Sequence, residues 1–189
     1  MSVLSFCANP KFTMFGAAKC GKCKGCLRLR TSDWVQRACV ESEVHERTWF
    51  LTLTYRGDVE PGYGEFQKFM KRIRKNTGVS PRYLVATERG CKTDRLHLHV
   101  LVHCSNALTK RMIQAEWKLG ITHMRLTKDV SSKRYVAKYA SKDGRIRASV
   151  GYGTKTYPAM LEQHLLAGLL FHLLLRCPLQ KSWRCHRCR

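Results

Sequence analysis

The feature that most restricts the fold is a pair of strand-like segments joined by a short polar connection. Residues 83–88 and 96–102 are rich in apolar and β-branched side chains, and only residues 89–95 separate them. A connection of this length suits an antiparallel pair, because a parallel return needs a crossover of a dozen or more residues. The sequence therefore predicts an antiparallel sheet in which these two segments are neighbours.

Further elements are predicted on both sides of this pair. Residues 49–55 are β-branched and aromatic as in a strand, and residues 65–76 repeat apolar side chains at helical spacing. The order strand, helix, strand, strand, helix, strand, helix indicates an α+β fold of split βαβ type, an antiparallel sheet with helices on one face. The other predicted elements are a strand at 122–126 and helices at 27–47, 109–119 (N-cap Thr109) and 132–142.

Composition divides the chain into three predicted parts. Residues 1–48 form a Cys-rich basic segment with an N-terminal helix, residues 49–150 form the core, and residues 151–189 form an atypical tail rich in Leu, Arg and Cys. The abrupt change near Gly151 raises the hypothesis of a truncated or frameshifted reading frame. No secretory signal is recognisable, and the apolar run 165–175 is much shorter than the roughly 20 residues of a membrane span, so we expect a soluble, cytoplasmic protein.

The charge balance indicates a polyanionic partner. The chain has 35 Lys and Arg against 13 Asp and Glu, a formal net charge of +22 at pH 7. Such an excess stabilises phosphate contacts by displacing condensed counterions. Because the basic residues are spread along the chain rather than beside one amphipathic anchor, we expect nucleic acid and not a membrane. The outer face of the predicted helix 65–76 is the expected DNA-tracking surface, with Lys71, Arg72, Arg74 and Lys75.

A histidine pair lies in the third predicted strand. His97 and His99 alternate with apolar residues, so both imidazoles point to one side of the sheet, with Cα atoms roughly 7 Å apart. Glu88 ends the preceding strand, and the antiparallel return brings its carboxylate close to the pair. Two imidazoles and a carboxylate leave coordination positions open and suit Mg²⁺ or Mn²⁺. The alternative is that the histidines only pack or form hydrogen bonds.

Two tyrosines lie one turn apart in the last predicted helix. Tyr135 and Tyr139 are each followed three residues later by a lysine, Lys138 and Lys142. Because a phenol has a pKa of about 10, a tyrosine nucleophile needs a neighbouring cation or base. The alternative is a basic amphipathic helix whose tyrosines pack on the sheet.

Three cysteines have the spacing of a metal site. Cys20, Cys23 and Cys26 occur as Cys-x-x-Cys-x-x-Cys, a pattern found in zinc and iron–sulfur sites, of which a structural zinc ion is the expected one. The fourth ligand stays open between Cys7, Cys39 and His45.

Taken in order, these motifs resemble a known family. FLTLTY, a glutamate, His-hydrophobe-His and YVAKYASK are similar to the motifs of the HUH endonucleases that start rolling-circle replication. The doubled tyrosine motif and the upstream CGKCKGC segment most resemble the replication initiators of microviruses, which are small single-stranded DNA bacteriophages. The resemblance covers roughly residues 20–142, and it implies that residues 49–150 are a nicking core. Thr52 and Thr54 of FLTLTY are expected to pack in the core.

The resemblance also implies a mechanism. His97, His99 and Glu88 would hold Mg²⁺ or Mn²⁺ at a scissile phosphate, and Tyr135 or Tyr139 would attack it. The product would be a 5′-phosphotyrosine link and a free 3′-hydroxyl for a polymerase. Lys138 is the expected charge stabiliser and Lys142 a weaker candidate and DNA contact.

The expected partners are single-stranded origin DNA and, in the bacterial host cell, a helicase and a DNA polymerase. No phosphate-cradling Gly-x-x-x-x-Gly-Lys-Ser/Thr motif is present, so a partner would separate the strands, and no small-molecule cofactor is expected. Two alternatives stay open. One is a zinc-stabilised, non-catalytic nucleic-acid-binding protein, and the other is a related HUH transposase or relaxase.

Overall fold

A computed structural model describes residues 7–56, 62–90, 95–127, 129–138 and 146–154 of the chain. Short strands and longer helices alternate along it. In chain order the elements are β1 (Lys11–Thr13), β2 (Gly16–Ala18), α1 (Lys24–Val44), β3 (Arg47–Tyr55), α2 (Tyr63–Thr77), β4 (Arg82–Arg89), β5 (Leu96–Cys104), α3 (Lys110–Glu116), β6 (Gly120–Leu126), α4 (Val130–Ala137) and β7 (Ile146–Ala148).

The main sheet has the strand order β6-β3-β5-β4-β7, and every neighbouring pair is antiparallel. The predicted pairing of residues 83–88 with residues 96–102 is confirmed, with Glu88 opposite His97. The segment FLTLTY lies in β3, between β6 and β5. The α+β class with an antiparallel sheet is therefore confirmed.

Helices cover both faces of this sheet rather than one. On one face Leu51 and Val100 pack with Phe66 and Ile73 of α2. On the other face Leu101 packs with Ala38 of α1 and Val136 of α4. Helices are needed on both sides because the inner strands β4 and β5 carry consecutive buried residues, which alternate between the two faces.

Capping side chains set two of the helix starts. Thr109 is the N-cap of α3, as predicted, and accepts a hydrogen bond from the Met112 N–H at 3.4 Å. Asp129 is the N-cap of α4 and accepts from the Ser132 N–H at 2.7 Å. α3 ends at Glu116, earlier than predicted, because Gly120 already belongs to β6. The Asp129 cap fixes where the tyrosine-bearing helix begins.

Two elements were not predicted. β1 and β2 form a separate antiparallel hairpin in the Cys-rich segment, and β7 adds an edge strand beside β4. The apolar run 165–175 and the rest of the tail from residue 155 lie outside the described residues. Within the described part of the chain, no helix has the length and apolar character required to cross a bilayer.

Candidate active site

The pairing of β3 with β5 aligns a threonine with each histidine of the predicted pair. Thr54 is opposite His97 and Thr52 is opposite His99. The Thr54 Oγ1 lies 3.0 Å from the His97 Nδ1, and the Thr52 Oγ1 lies 3.2 Å from the His99 Nδ1. Each ring is therefore held at Nδ1, which orients Nε2 away from β3.

Glu88 lies beside this pair, as the antiparallel return predicts. Its Oε2 is 2.7 Å from the Nε2 of His99. The His99 side chain is 6% exposed and the Glu88 side chain is 21% exposed. The carboxylate thus meets the imidazole where the sheet face opens to solvent.

The contact between His99 and Glu88 is compatible with a shared cation. Neighbouring ligands of an octahedral ion at about 2.1 Å lie roughly 3 Å apart, close to the observed Nε2–Oε2 separation. A threonine hydroxyl can donate or accept, so Thr52 can partner His99 whether Nδ1 or Nε2 carries the proton. Within the described residues the triad with His97 is not a group whose ligand atoms all lie within 4.8 Å of one another, so a shared ion requires a side-chain rotation.

Tyr135 of α4 lies on the same face of the sheet as the histidines. Its ring stands edge-on to the His99 ring, with centroids 5.0 Å apart and planes at 88°. Phe50 of β3 contacts both rings, at 5.7 Å from Tyr135 and 6.2 Å from His99. The Lys138 Nζ lies 3.8 Å from the centroid of the Tyr135 ring. One predicted nucleophile and its predicted cation therefore lie beside the predicted ligands.

The second tyrosine motif, Tyr139 and Lys142, lies outside the described residues. The structure therefore places one of the two predicted tyrosines. Its α4 ends at Ala137, and Lys138 is the C-cap.

The predicted DNA-tracking residues lie elsewhere. Lys71, Arg72 and Lys75 belong to α2, which packs on the sheet face opposite the histidines. The Arg72 guanidinium donates to the backbone carbonyl of Glu116 from Nε at 3.3 Å and from Nη2 at 3.0 Å, which ties α2 to α3. If α2 binds DNA, it does so on a surface separate from the histidine pair.

Sequence reasoning missed the polar row that supports the histidines. Thr52 and Thr54 were expected in core packing, yet both contact an imidazole. The same row continues from Thr52 to the exposed His123 of β6. The signal was the period-two spacing of the threonines in FLTLTY, but assigning it required the register between β3 and β5.

The cysteine cluster gains a fourth member from the N-terminal side. Cys7 joins Cys20, Cys23 and Cys26, and the four Sγ atoms all lie within 4.8 Å of one another. Of the three predicted candidates for the fourth ligand, the cluster contains Cys7 and neither Cys39 nor His45. Hydrogen bonds from the backbone N–H groups of Cys26 and Ala8 lower the pKa of Cys23 to about 6.

Comparison with known proteins agrees with the motifs. The family model described as replication-associated protein, of the ORF2 type, matches residues 48–144. The chain belongs to this family. The matched region contains the candidate site and excludes the cysteine cluster. Membership supports the replication-associated role predicted from the motifs.

One curated relative and one solved structure add detail. Replication-associated protein VP4 of Bdellovibrio phage phiMH2K is 30% identical over 152 residues, and the alignment covers 67% of this chain and 48% of that protein. The chain thus spans about half the length of this relative. The crystal structure of the hypothetical protein ORF119 from Sulfolobus islandicus rod-shaped virus 1 is similar at a TM-score of 0.45 and 19% identity, over 56% of this chain and 90% of that one.

Proposed function

We propose that this protein initiates rolling-circle DNA replication by nicking single-stranded origin DNA with a tyrosine, in the manner of the HUH endonucleases of microviruses. The observation that carries the proposal is the position of Tyr135. Its ring lies 5.0 Å from that of His99, whose Nε2 is 2.7 Å from Glu88. A nucleophile and a set of metal-ligand side chains on one open sheet face are the groups that this reaction requires.

The residues divide the reaction between them. The Tyr135 Oη attacks the scissile phosphorus, loses its proton, and forms the phosphotyrosine bond, while the bond from phosphorus to the 3′ oxygen breaks and that oxygen takes up a proton. The Lys138 ammonium, against the Tyr135 ring, favours the phenolate form. The energy of the phosphodiester is conserved in the new bond, so no ATP is consumed.

His97, His99 and Glu88 are the residues that would hold Mg²⁺ or Mn²⁺. When bound, such a cation polarises the phosphate and stabilises the charge on the leaving 3′ oxygen. The threonine contacts to both Nδ1 atoms keep the two rings oriented toward that position.

The partners follow from the reaction. The free 3′-hydroxyl is the primer for a DNA polymerase of the host cell, and a host helicase separates the strands. Tyr139 is the second nucleophile, which cleaves the regenerated origin so that the released strand closes into a circle.

The test is a covalent adduct. Incubation of the full chain with single-stranded origin DNA and Mn²⁺ should give a protein–DNA product that resists denaturant, and Tyr135→Phe with Tyr139→Phe should abolish it. Tyr83→Phe, a buried tyrosine on the opposite sheet face, is the matched control and should keep the adduct. An unchanged yield in the double variant would reject both nucleophiles.

A second candidate function is nucleic-acid binding without catalysis, stabilised by zinc. The four-cysteine cluster and the net charge of +22 favour it, since neither needs Tyr135. It predicts DNA binding with no adduct under any metal condition. An adduct formed on transposon ends or plasmid transfer origins, in preference to a phage origin, would instead indicate a related HUH transposase or relaxase.

A further inference from the structure

We propose that the N-terminal segment binds a structural zinc ion through four thiolates: Cys7, Cys20, Cys23 and Cys26. This site lies outside the region that matches the replication-associated family, and it does not depend on the nicking chemistry. The cluster is the group of three or more metal-ligand side chains that converges within the described residues.

The geometry of the thiols matches tetrahedral zinc. With Zn–S bonds of about 2.3 Å, two sulfurs of a tetrahedral site lie roughly 3.8 Å apart. The Sγ atoms of Cys20 and Cys26 are 3.8 Å apart. Four thiols close the coordination sphere, as in structural sites, whereas a catalytic site keeps one position for water or substrate.

Backbone N–H groups point at the sulfurs and stabilise thiolates. The N–H of Cys20 lies 3.3 Å from the Cys7 Sγ, and the N–H of Cys23 lies 3.3 Å from the Cys20 Sγ. The N–H groups of Ala8 and Cys26 approach the Cys23 Sγ at 3.4 and 3.5 Å. Such hydrogen bonds offset charge on a tetrathiolate and orient its ligands.

The ligand positions give the ion a structural task. Cys7 precedes the β1–β2 hairpin and Cys20 follows it, while Cys23 is the N-cap of α1 and Cys26 lies in its first turn. An isolated two-stranded hairpin of this size is not stable in water. The bound ion would join both ends of the hairpin to the start of α1 and so hold it in place.

The experiment is metal analysis of the full chain. We expect an equimolar amount of zinc, and after replacement by Co²⁺ we expect the absorption bands of a tetrahedral tetrathiolate. Cys7→Ser should weaken zinc affinity by more than the roughly 10- to 100-fold caused by losing an outer-shell partner. Cys39→Ser is the control and should keep full affinity, since Cys39 is not in the cluster.

A second measurement covers the case in which Cys7→Ser does not fold. In the unaltered protein the four thiols should resist alkylation, and a chelator should make them reactive, as mass spectrometry of the peptides would show. Iron instead of zinc, alkylation of Cys7 unaffected by chelator, or full zinc affinity in Cys7→Ser would each overturn the proposal.

A separate observation points to the ligand of the hairpin, and we infer that it stacks on the bases of single-stranded DNA. Phe12, Met14 and Phe15 are 83%, 91% and 93% exposed, at and beside the hairpin turn. Residues 7–32 include no Asp or Glu. Their basic residues are Lys11, Lys19, Lys22, Lys24, Arg28 and Arg30.

Exposed aromatic rings within a basic segment are the combination that binds single-stranded nucleic acid, through stacking and phosphate contacts. The charge favours a polyanion over an apolar protein surface. This inference rests on the proposed DNA substrate but not on cleavage, so its test uses binding without metal ions that support nicking.

The test compares fluorescence anisotropy of a labelled oligodeoxythymidine in chelator-free, Mg²⁺-free buffer. Phe12→Ala with Phe15→Ala should raise Kd about tenfold or more, since each stacked base contributes a several-fold effect. Val150→Ala, which removes an equally exposed apolar side chain elsewhere, should leave Kd unchanged. Zinc content of the double variant checks that the hairpin remains folded.

Equal DNA affinity of the double variant and the control would overturn the inference. So would a loss confined to binding of vesicles that contain anionic lipid, which would identify the hairpin as a membrane contact. Because no cleavage is measured, neither result depends on whether Tyr135 nicks DNA.

Discussion

Two ends of the β3–β5 pair carry the same side-chain arrangement in different surroundings. At one end Thr54 and Thr52 contact His97 and His99, and at the other end the Thr48 Oγ1 lies 3.0 Å from the His103 Nδ1. All three histidines project from the same face of β5. The threonine–histidine contact is therefore a shared element of this face and does not by itself indicate a reactive site.

The His103 end is closed. His103 is fully buried, and its Nε2 lies 2.7 Å from the Tyr152 hydroxyl. Burial, together with the nearby His45, lowers the pKa of His103 to about 3, so the ring is neutral at pH 7. A neutral ring sealed against a phenol has a structural task.

Tight backbone packing seals this end. The Gly153 N–H donates to the buried Glu41 carboxylate at 2.7 Å, and Arg82 pairs with the same carboxylate at 2.7 Å. Gly153 has a φ of +67°, and an added Cβ would lie 2.5 Å from the Cβ of Arg37. The loop can approach α1 this closely only with glycine at this position.

At the open end a carboxylate and a half-buried tyrosine replace the buried phenol. Glu88 contacts the Nε2 of His99, and Tyr135 stands against the His99 ring. The comparison teaches that chemistry on this face depends on what meets Nε2. A carboxylate beside an open face suits a cation, whereas a buried hydroxyl suits packing.

The largest expected difference between the two ends is in activity. We expect His99→Ala to reduce the rate of adduct formation by about 10³-fold or more, because a ligand to the cation is lost. His103→Gln should keep the rate per folded molecule while lowering the free energy of unfolding by about 1–3 kcal/mol, since a buried hydrogen-bond pair is altered. Single-turnover kinetics and urea unfolding on both variants measure the two effects. Equal rates in His99→Ala and the unaltered protein would remove the distinction.

The second difference concerns pH. Because folding lowers the pKa of His103 to about 3 from the ordinary 6.5, its contribution to stability is present above pH 6.5 and is lost as the pH falls toward 3. The cationic neighbours Lys133, Arg82 and, when protonated, His45 act in the same direction. The unfolding free energy should fall by about 1.4 kcal/mol per pH unit from this group.

Urea unfolding across this pH window measures that slope. His103→Gln should unfold with a shallower dependence on pH, while His99→Gln serves as the matched variant at the open end. A slope unchanged by His103→Gln would show that another group is responsible.

A smaller effect separates the threonines. Thr52→Val keeps the shape of the side chain but removes the contact to Nδ1 of His99, and we expect the affinity for Mn²⁺ to fall about 10- to 100-fold. Thr48→Val should leave Mn²⁺ affinity unchanged and reduce stability by about 1–3 kcal/mol, because a buried imidazole loses its partner. Titration with Mn²⁺ followed by calorimetry distinguishes the two variants, and similar affinities for both would contradict an orienting role for Thr52.

The smallest predicted effect is on the helix that carries Tyr135. Hydrogen bonds from Ser131, Thr127 and Ser132 hold the pKa of Asp129 below its usual range. Asp129→Ala should lower the free energy of unfolding by about 1 kcal/mol through loss of the N-cap. Asp33→Ala, at a half-exposed carboxylate inside α1, should change it by less. Thermal unfolding of both variants is the check, and an equal cost would argue against the cap.

Local sequence patterns were sufficient for part of this site. Alternation along a strand placed His97 and His99 on one face, and the short connection brought Glu88 to them, because both depend only on strand geometry and chain length. Helical periodicity likewise placed Tyr135 and Lys138 on neighbouring positions of α4, although Tyr139 lies outside the described residues.

Distant contacts required the folded chain. The roles of Thr52 and Thr54 depend on the register of β3 against β5, which involves residues more than forty positions apart. The closing of Cys7 onto the other three thiols depends on a hairpin that the sequence pattern did not indicate, and the position of α2 depends on which sheet face it covers. Periodicity orients a side chain within its own element, but only tertiary packing determines which elements meet.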